Sequence, residues 1–394
     1  MIDQRAVARR LKVAIATAFP RDTSSPRGGV ESVSVNLVEG LTAFADLDLH
    51  VVTTDRDTAA PEDYQWKRAT IHRLPQSGRR ILLDAIGPGR RQMKAFLRRL
   101  APDLVHAHDV YGLMVKGLEL PRIHTIHGFI YGDTLVSGER FARLRSRVWR
   151  RVETAGWADQ PHIVSISPYV RERLSGVARG AIHDIENPIA PEFFDVARCE
   201  EGLTIFSAAA VCRRKNTAAL VDAFAAAVRA GFDATLRLAG AVTEPSYGEL
   251  VKARVREHGL DARVVWLGSI SAEDVRAELS RASIFALVSL EENAPLGIEE
   301  AMAAGVPVIA SNRCGMPYMV RNGETGWLVP PHDSDEIARR LCQLLDSESR
   351  RWRMGEAARE LARARFHPAS VACRTRELYF DVQGAADQRK GRVL

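Results

Sequence analysis

The sequence predicts an α/β protein made of parallel βαβ units arranged in two successive halves. Three observations carry this. Short apolar, strand-like runs alternate with helical patterns along most of the chain. The alternation restarts at Leu203, and a segment with two prolines, Glu186-Asn187-Pro188-Ile189-Ala190-Pro191, separates the halves and reads as a hinge.

In chain order, Leu11-Lys12-Val13-Ala14-Ile15-Ala16 is a short apolar strand, and Gly28-Gly29 opens a helix with Val30, Val33, Leu37, Leu41 and Phe44 at helical spacing. Further strands are expected at 49–53, 70–74, 104–108, 122–126 and 162–165. In the second half they are expected at 203–208, 235–239, 264–267, 284–288, 306–310 and 326–329, with Leu220, Val221, Phe224 and Val228 marking the first intervening helix. The architecture repeats, but the sequence itself does not.

The 394 residues suffice for two domains with full cores. Hydrophobic residues are 46% and charged residues 26%, as in ordinary globular proteins. No run of 18 apolar residues occurs, and Met1-Ile2-Asp3-Gln4-Arg5 lacks the apolar core of a secretory leader. Five widely spaced cysteines without Cys-x-x-Cys argue against a disulfide framework or zinc site, so a cytoplasmic location is expected. The net charge of +6 is carried mostly by Arg, as a GC-rich genome would produce, and nucleic acid is not expected as a partner. Two basic clusters stand out: Arg79-Arg80, Arg90-Arg91, Lys94 and Arg98-Arg99, then 140–151 with six arginines besides Phe141 and Trp149. Such faces are usually solvated, but they also suit peripheral contact with anionic lipid headgroups.

The most informative stretch runs Glu292-Asn293-Ala294-Pro295-Leu296-Gly297-Ile298-Glu299-Glu300, then Ala301-Met302-Ala303-Ala304-Gly305-Val306-Pro307-Val308. In an open α/β sheet, ligands collect at the carboxyl ends of strands and at the helix starts that follow. Pro295, with a fixed φ and no amide hydrogen, is expected at the first helical position. Glu292 then lies on irregular backbone upstream. Leu296 and Gly297 fall in the first turn, whose unpaired amides and dipole favour an anion. A carboxylate accepts hydrogen bonds from neighbouring hydroxyls, which suits a sugar or a ribose diol. Taken alone, two such glutamates are more often surface charges.

The whole pattern resembles the family-4 retaining glycosyltransferases (glycosyl transferases group 1), whose signature is two glutamates separated by seven residues and then Ala-Met-Ala-x-Gly-x-Pro-Val. The resemblance covers nearly the whole chain and implies a GT-B fold: two Rossmann-like, doubly wound domains facing a central cleft, with a last helix crossing back to the first domain. It divides the chain into an acceptor-binding domain at 1–188, a nucleotide-sugar-binding domain at 189–372, and a crossing helix and flexible tail at 373–394. Arg374 to Gln383, with Leu378, Tyr379 and Val382, is the expected crossing segment, and disorder is expected beyond Gly384.

Residue by residue, the resemblance implies that Glu292 contacts the donor sugar and Glu300 the ribose. Arg27-Gly28-Gly29-Val30-Glu31 looks like the family's glycine loop near the donor diphosphate, and the physics agrees, since glycines admit phosphate to backbone and the helix presents amides. It is not Gly-x-Gly-x-x-Gly, so a dinucleotide site is not supported. His106, His108, His124 and His127 end two strands. The resemblance makes His127 the sugar-contacting histidine, while His106 and His124 read as structural, and the spacing suits no metal. In Arg213-Arg214-Lys215-Asn216, Lys215 matches the diphosphate-gripping lysine. Ala210 stands where the family has arginine, which leaves Arg213 or Arg214 to supply that charge. Gly315-Met316-Pro317-Tyr318 departs at Tyr318, where an acidic residue is usual, and Pro295 cannot donate an amide to the sugar. Two Asp-x-Asp matches, at Asp46 and Asp333, read as a strand start and a helix cap.

The implied activity is transfer of a sugar, hexosyl or related, from a nucleotide-diphosphate sugar to a hydroxyl of a sugar or lipid-linked acceptor in glycan, glycolipid or polysaccharide biosynthesis in a bacterium. Configuration is retained, and no metal or other cofactor is expected. Rival readings are a weakly catalytic scaffold of the same shape, another nucleotide-sugar enzyme, and a nucleic-acid binder suggested only by charge.

Overall fold

A computed structural model describes residues 9–76, 81–136 and 140–391. The first half forms an eight-stranded sheet from β1 (Leu11–Ala16), β2 (Leu47–Asp55), β3 (Glu62–Trp66), β4 (Ala69–Pro75), β5 (Leu104–His108), β6 (Arg122–Ile126), β7 (His162–Ser165) and β8 (Ala181–Asp184). Their order is β3-β4-β2-β1-β5-β6-β7-β8, parallel throughout except β3 against β4. The second half forms a parallel sheet from β9 (Leu203–Ala208), β10 (Ala234–Ala239), β11 (Val264–Gly268), β12 (Ile284–Leu287), β13 (Val308–Ser311) and β14 (Gly326–Val329), in the order β11-β10-β9-β12-β13-β14. Chain order 3-2-1-4-5-6 is the doubly wound arrangement, so the sequence expectation of two such domains holds.

Both sheets are covered on both faces, which is why central strands such as β5 and β12 are buried at every position, and β12 reads as a continuous apolar run. Two edge strands escaped the sequence reading for the opposite reason. In β3, the run Glu62-Asp63-Tyr64-Gln65-Trp66 alternates half-buried and exposed positions, and β8 has no fully buried residue. Strand β13 starts at Val308 rather than Val306, because Pro307 lacks the amide that the ladder needs.

The closing helix Pro368–Gly391 returns to the first domain. Val371, Ala372, Leu378, Tyr379 and Val382 join the core formed by Val13, Ile15, Leu49 and Ile123. Arg376 pairs with Asp46, and the buried Tyr379 hydroxyl meets His106 Nδ1 at 2.8 Å. The expected disorder beyond Gly384 is corrected here, since the backbone stays helical to Gly391. No helix among the described residues is long and apolar enough to cross a membrane. Residues 1–5 and Arg79-Arg80 lie outside the described residues.

Candidate active site

In each sheet the strand order reverses at one point, and a crevice opens there beyond the strand ends. In the second domain that point lies between β9 and β12, the strands that deliver Lys215 and Glu292. In the first it lies between β1 and β5, which deliver Gly29 and Asp109. The two crevices face each other across a cavity of about 580 Å³.

The Arg213–Lys215 turn is held against the β12 loop. Asn216, in the left-handed region at φ 59°, donates from Nδ2 to Val288 O (3.1 Å) and Pro331 O (2.7 Å). Leu290 N donates to Arg214 O at 2.8 Å. These clamps bring Lys215 Nζ to 2.5 Å and the Arg214 guanidinium to 2.8 Å from one Glu292 oxygen. Burial pushes the Glu292 carboxyl up, but Lys215 and Arg214 outweigh it and hold the group below the usual carboxylate range. Arg213 turns the other way, 5.8 Å over the Tyr247 ring and 3.7 Å from Glu244. Of the two arginines, only Arg214 borders the cavity.

The helix Leu296–Ala303 starts one residue later than expected, with Pro295 as its N-cap. Leu296 and Gly297 border the cavity in its first turn. A Cβ on Gly297 would lie 3.1 Å from the Phe285 ring and 3.3 Å from Ala208 O, so glycine lets the helix start seat against β9 and β12. A Cβ on Gly315 would lie 1.5 Å from Asn293 O, which keeps the loop after β13 against the Glu292 loop. Glu300 is half-buried on the same helix but outside the cavity wall, and burial pushes its carboxyl up to about 7. Gly29 borders the cavity, whereas Gly28 does not.

On the first domain, His127 sits in a closed hydrogen-bond array. Its Nδ1 meets Asn187 Oδ1 at 3.0 Å and its Nε2 meets His108 Nδ1 at 2.8 Å. An amide oxygen only accepts, so His127 carries its proton on Nδ1 and its Nε2 accepts from His108. Burial lowers its pKa, which keeps the ring neutral. Both nitrogens are therefore occupied in this arrangement, and no ring nitrogen is left for the sugar contact expected of His127. His106 is structural, bonded to Tyr379 and to Thr125 Oγ1 at 2.6 Å. His124, by contrast, also borders the cavity.

Three acidic residues that the sequence reading passed over border the cavity: Asp109, Asp133 and Glu153. Asp109 has φ 43° and ψ −119°, a strained conformation, and its carboxylate accepts from His127 N at 2.7 Å. Its only sequence signal is its place directly after the His106–His108 strand end. The Glu153 carboxylate accepts from Ile130 N and Tyr131 N, both at 3.0 Å. Glu153 lies mid-helix in Ala142–Trp157 and has no local signal at all.

Several bonds tie the domains together around this cavity. Asn293 Nδ2 donates to His127 O (2.9 Å), Tyr169 Oη to Glu291 (2.7 Å) and Tyr318 Oη to Glu172 (2.6 Å). The Tyr318 departure thus supplies a bond across the cleft. Asp46 and Asp333 serve the closing-helix ion pair and a helix N-cap. Among the described residues no group of three or more His, Cys, Asp or Glu is arranged to hold a metal ion.

Two doubly wound domains facing one cavity define a GT-B fold. The comparisons identify the family. The model described as "Glycosyltransferase Family 4" matches residues 27–193, and "Glycosyl transferases group 1" matches 190–361. A D-inositol 3-phosphate glycosyltransferase of Corynebacterium glutamicum is 30% identical over 318 residues, 73% of this chain and 75% of the relative. Sucrose-phosphate synthase of Thermosynechococcus elongatus superposes with a TM-score of 0.81 at 22% identity, over 95% of this chain and 100% of that one. Anabaena HepE, solved with UDP-glucose, gives 0.71 at 16% identity over 94% and 100%. The chain belongs to the family-4, group 1 glycosyltransferases and is a sugar-transferring enzyme.

Proposed function

We propose that the chain transfers a glycosyl group from a nucleotide-diphosphate sugar to an acceptor hydroxyl, with retention of configuration. The observation that carries this is the Arg214–Lys215–Glu292 cluster at the β9/β12 switch point, facing the glycine-started helix at Gly29. Cations and helix-start amides are the groups that stabilise a departing diphosphate, the main electrostatic task of the reaction. In this reading Lys215 and Arg214 hold the diphosphate with the amides of the two helix starts. Glu292, released from its ion pairs, orients sugar hydroxyls, and Glu300, further along the same helix and just beyond the cavity wall, receives the ribose diol. The assignment places leaving-group stabilisation on these protein groups rather than on a divalent ion. Retention follows a front-face course in which the leaving phosphate takes the acceptor proton. Opening and closing turn on the Asn187–Pro191 segment, whose Asn187 also holds His127. HepE, solved with UDP-glucose, is a fold neighbour that supports a nucleotide-sugar donor.

The test is nucleotide release from a panel of UDP-, GDP- and ADP-sugars. Glu292→Ala is expected to lower release at least 100-fold, and wild-type-like release by that variant would sink the site assignment.

We also propose peripheral membrane contact from the cytoplasmic side. Phe141 (71% exposed), Leu144 (61%) and Val148 (45%) stand among Arg140, Arg143, Arg147 and Arg151 at the start of the Ala142–Trp157 helix. An apolar strip flanked by arginines suits an anionic interface. Co-sedimentation with vesicles containing anionic lipid is expected to exceed that with zwitterionic vesicles several-fold and to fall in Phe141→Ser/Leu144→Ser. Equal sedimentation with both vesicle types disposes of the idea.

A further inference from the structure

The acceptor side of the cavity has a charge balance that limits what it can receive. The first domain's share of the wall contains three carboxyls, from Asp109, Asp133 and Glu153, and no Lys or Arg among the described residues. The two cations that border the cavity, Arg214 and Lys215, belong to the second domain, and both pair with Glu292. Arg214 reaches only the outermost acid, Asp133, at 3.6 Å. Burial, with smaller contributions from Asp109 and Asp133, raises the Glu153 carboxyl to about 7 against the lowering by the Ile130 and Tyr131 amides. Among the described residues no Lys or Arg figures among the causes that shift Glu153 or Asp109.

A second, independent feature points the same way. His124 is 1% exposed and forms part of the wall. Its Nε2 proton is spent on Asp109 O at 3.0 Å, which leaves Nδ1 as a bare acceptor with no partner among the described residues. The side chains around Asp109 therefore present hydrogen-bond acceptors. Donors on this side are the amides at the Gly29 helix start, which the donor diphosphate takes in the reading above, and the Ser32 hydroxyl, Asn187 amide and Trp157 indole elsewhere on the wall. A phosphate brings negative charge to a wall whose ionisable side chains are acidic, so its charge is mismatched. A protonated amine matches that charge and donates to the carboxyls, and hydroxyls beside it both donate and accept. Trp157 and Ile126, also in the wall, supply apolar surface for a ring face.

We propose that the acceptor is a polyhydroxylated ring that carries a protonated amine and no phosphate. The amine lies against Asp109, Asp133 and Glu153 while a neighbouring hydroxyl reacts. This rests on the glycosyl-transfer reading. The acceptor oxygen forms the new bond to the anomeric carbon, the bond from that carbon to the diphosphate breaks, and the hydroxyl proton passes to the leaving diphosphate. The ammonium stays protonated and takes no part in the bond changes. The acceptor would then differ from that of the Corynebacterium relative, whose name specifies a phosphorylated inositol.

The experiment uses the full chain and begins with calorimetric titration of UDP-, GDP- and ADP-sugars. Absence of any donor binding would overturn the glycosyl-transfer reading, and this proposal with it. With a donor that binds, acceptor-stimulated nucleotide release is compared for 2-deoxystreptamine, myo-inositol and myo-inositol 3-phosphate. Release with the diamine is expected to be at least tenfold that with myo-inositol and to be undetectable with the phosphate. Equal rates for amine and neutral ring, preference for the phosphate, or stimulation by none of the three overturns the acceptor assignment while leaving the donor reading intact. Glu153→Gln is expected to raise KM for the diamine about tenfold while changing KM for myo-inositol less than twofold. Asp133→Asn, at a more exposed site, provides the same comparison if the first variant fails to fold. Equal effects on both acceptors in either variant count against the amine contact.

Discussion

Replacing Lys215 with alanine is expected to lower the rate of nucleotide release by 10²- to 10³-fold, about 3–4 kcal/mol of transition-state stabilisation. Lys215 Nζ sits at the switch-point crevice, 2.5 Å from Glu292 and 14% exposed, so its charge acts through a poorly screened environment. The charge on the diphosphate grows as the glycosidic bond breaks, which makes the lysine worth more in the transition state than in the bound substrate. Loss should therefore appear in kcat more than in KM. Arg214→Ala should also cost activity, since its guanidinium both faces the cavity and donates to Glu291 O at 2.9 Å. Arg213→Ala should leave the rate within about twofold, because that side chain stacks on Tyr247 outside the cavity. Comparable losses from Arg213→Ala and Lys215→Ala would show that the turn is oriented otherwise.

The second large effect concerns stability. Glu299→Met is expected to stabilise the fold by about 1–4 kcal/mol near pH 7.5, measured by urea denaturation. Glu299 is fully buried in the Leu296–Ala303 helix, and neither carboxyl oxygen has a hydrogen-bond partner among the described residues. Burial, reinforced by Glu300, pushes its pKa well above that of an ordinary carboxyl. In the folded state the group keeps its proton at pH values where the unfolded chain has released it. The folded state then binds more protons, so stability falls as pH rises above the unfolded value of 4.5, by about 1.4 kcal/mol per pH unit while the proton is retained. Glu300, pushed up to about 7, adds a similar slope only as far as that pH. The methionine variant should lose the Glu299 share of this dependence. A variant with unchanged slope between pH 5 and pH 8 would mean that Glu299 is charged and paired in the native state.

Much of the architecture was legible because parallel strands buried on both faces announce themselves as apolar runs. β5, β6, β7, β9 and β14 start and stop where the sequence places them. The edge strands β3 and β8 were not legible, since a strand with one solvated side and few buried positions resembles a polar loop. The crossing helix was anticipated from Leu378, Tyr379 and Val382, but its extension to Gly391 was masked by a polar composition that reads as a tail. In the site, Glu292, Lys215, Gly29 and His127 could be found from motif and strand-end position. Asp133 and Glu153 could not, because each lies within an ordinary helical stretch and meets the cavity only after the Ile130–Val136 and Ala142–Trp157 helices pack together.

The sequence by itself determined two doubly wound halves, the strand ends at which ligands gather, and the family to which the glutamate pair belongs. These are local properties: periodicity sets which face of an element is buried, and a motif keeps its residues within one turn and helix. Only the tertiary structure decided that Arg214 rather than Arg213 faces the cleft, that both His127 nitrogens are occupied, that Glu299 is buried without a hydrogen-bond partner among the described residues, and that the acceptor wall is acidic. Each of these depends on groups far apart in the chain, such as His127 with Asn187 or Asp109 with Glu153. Their distances exist only once the sheets and their covering helices are packed.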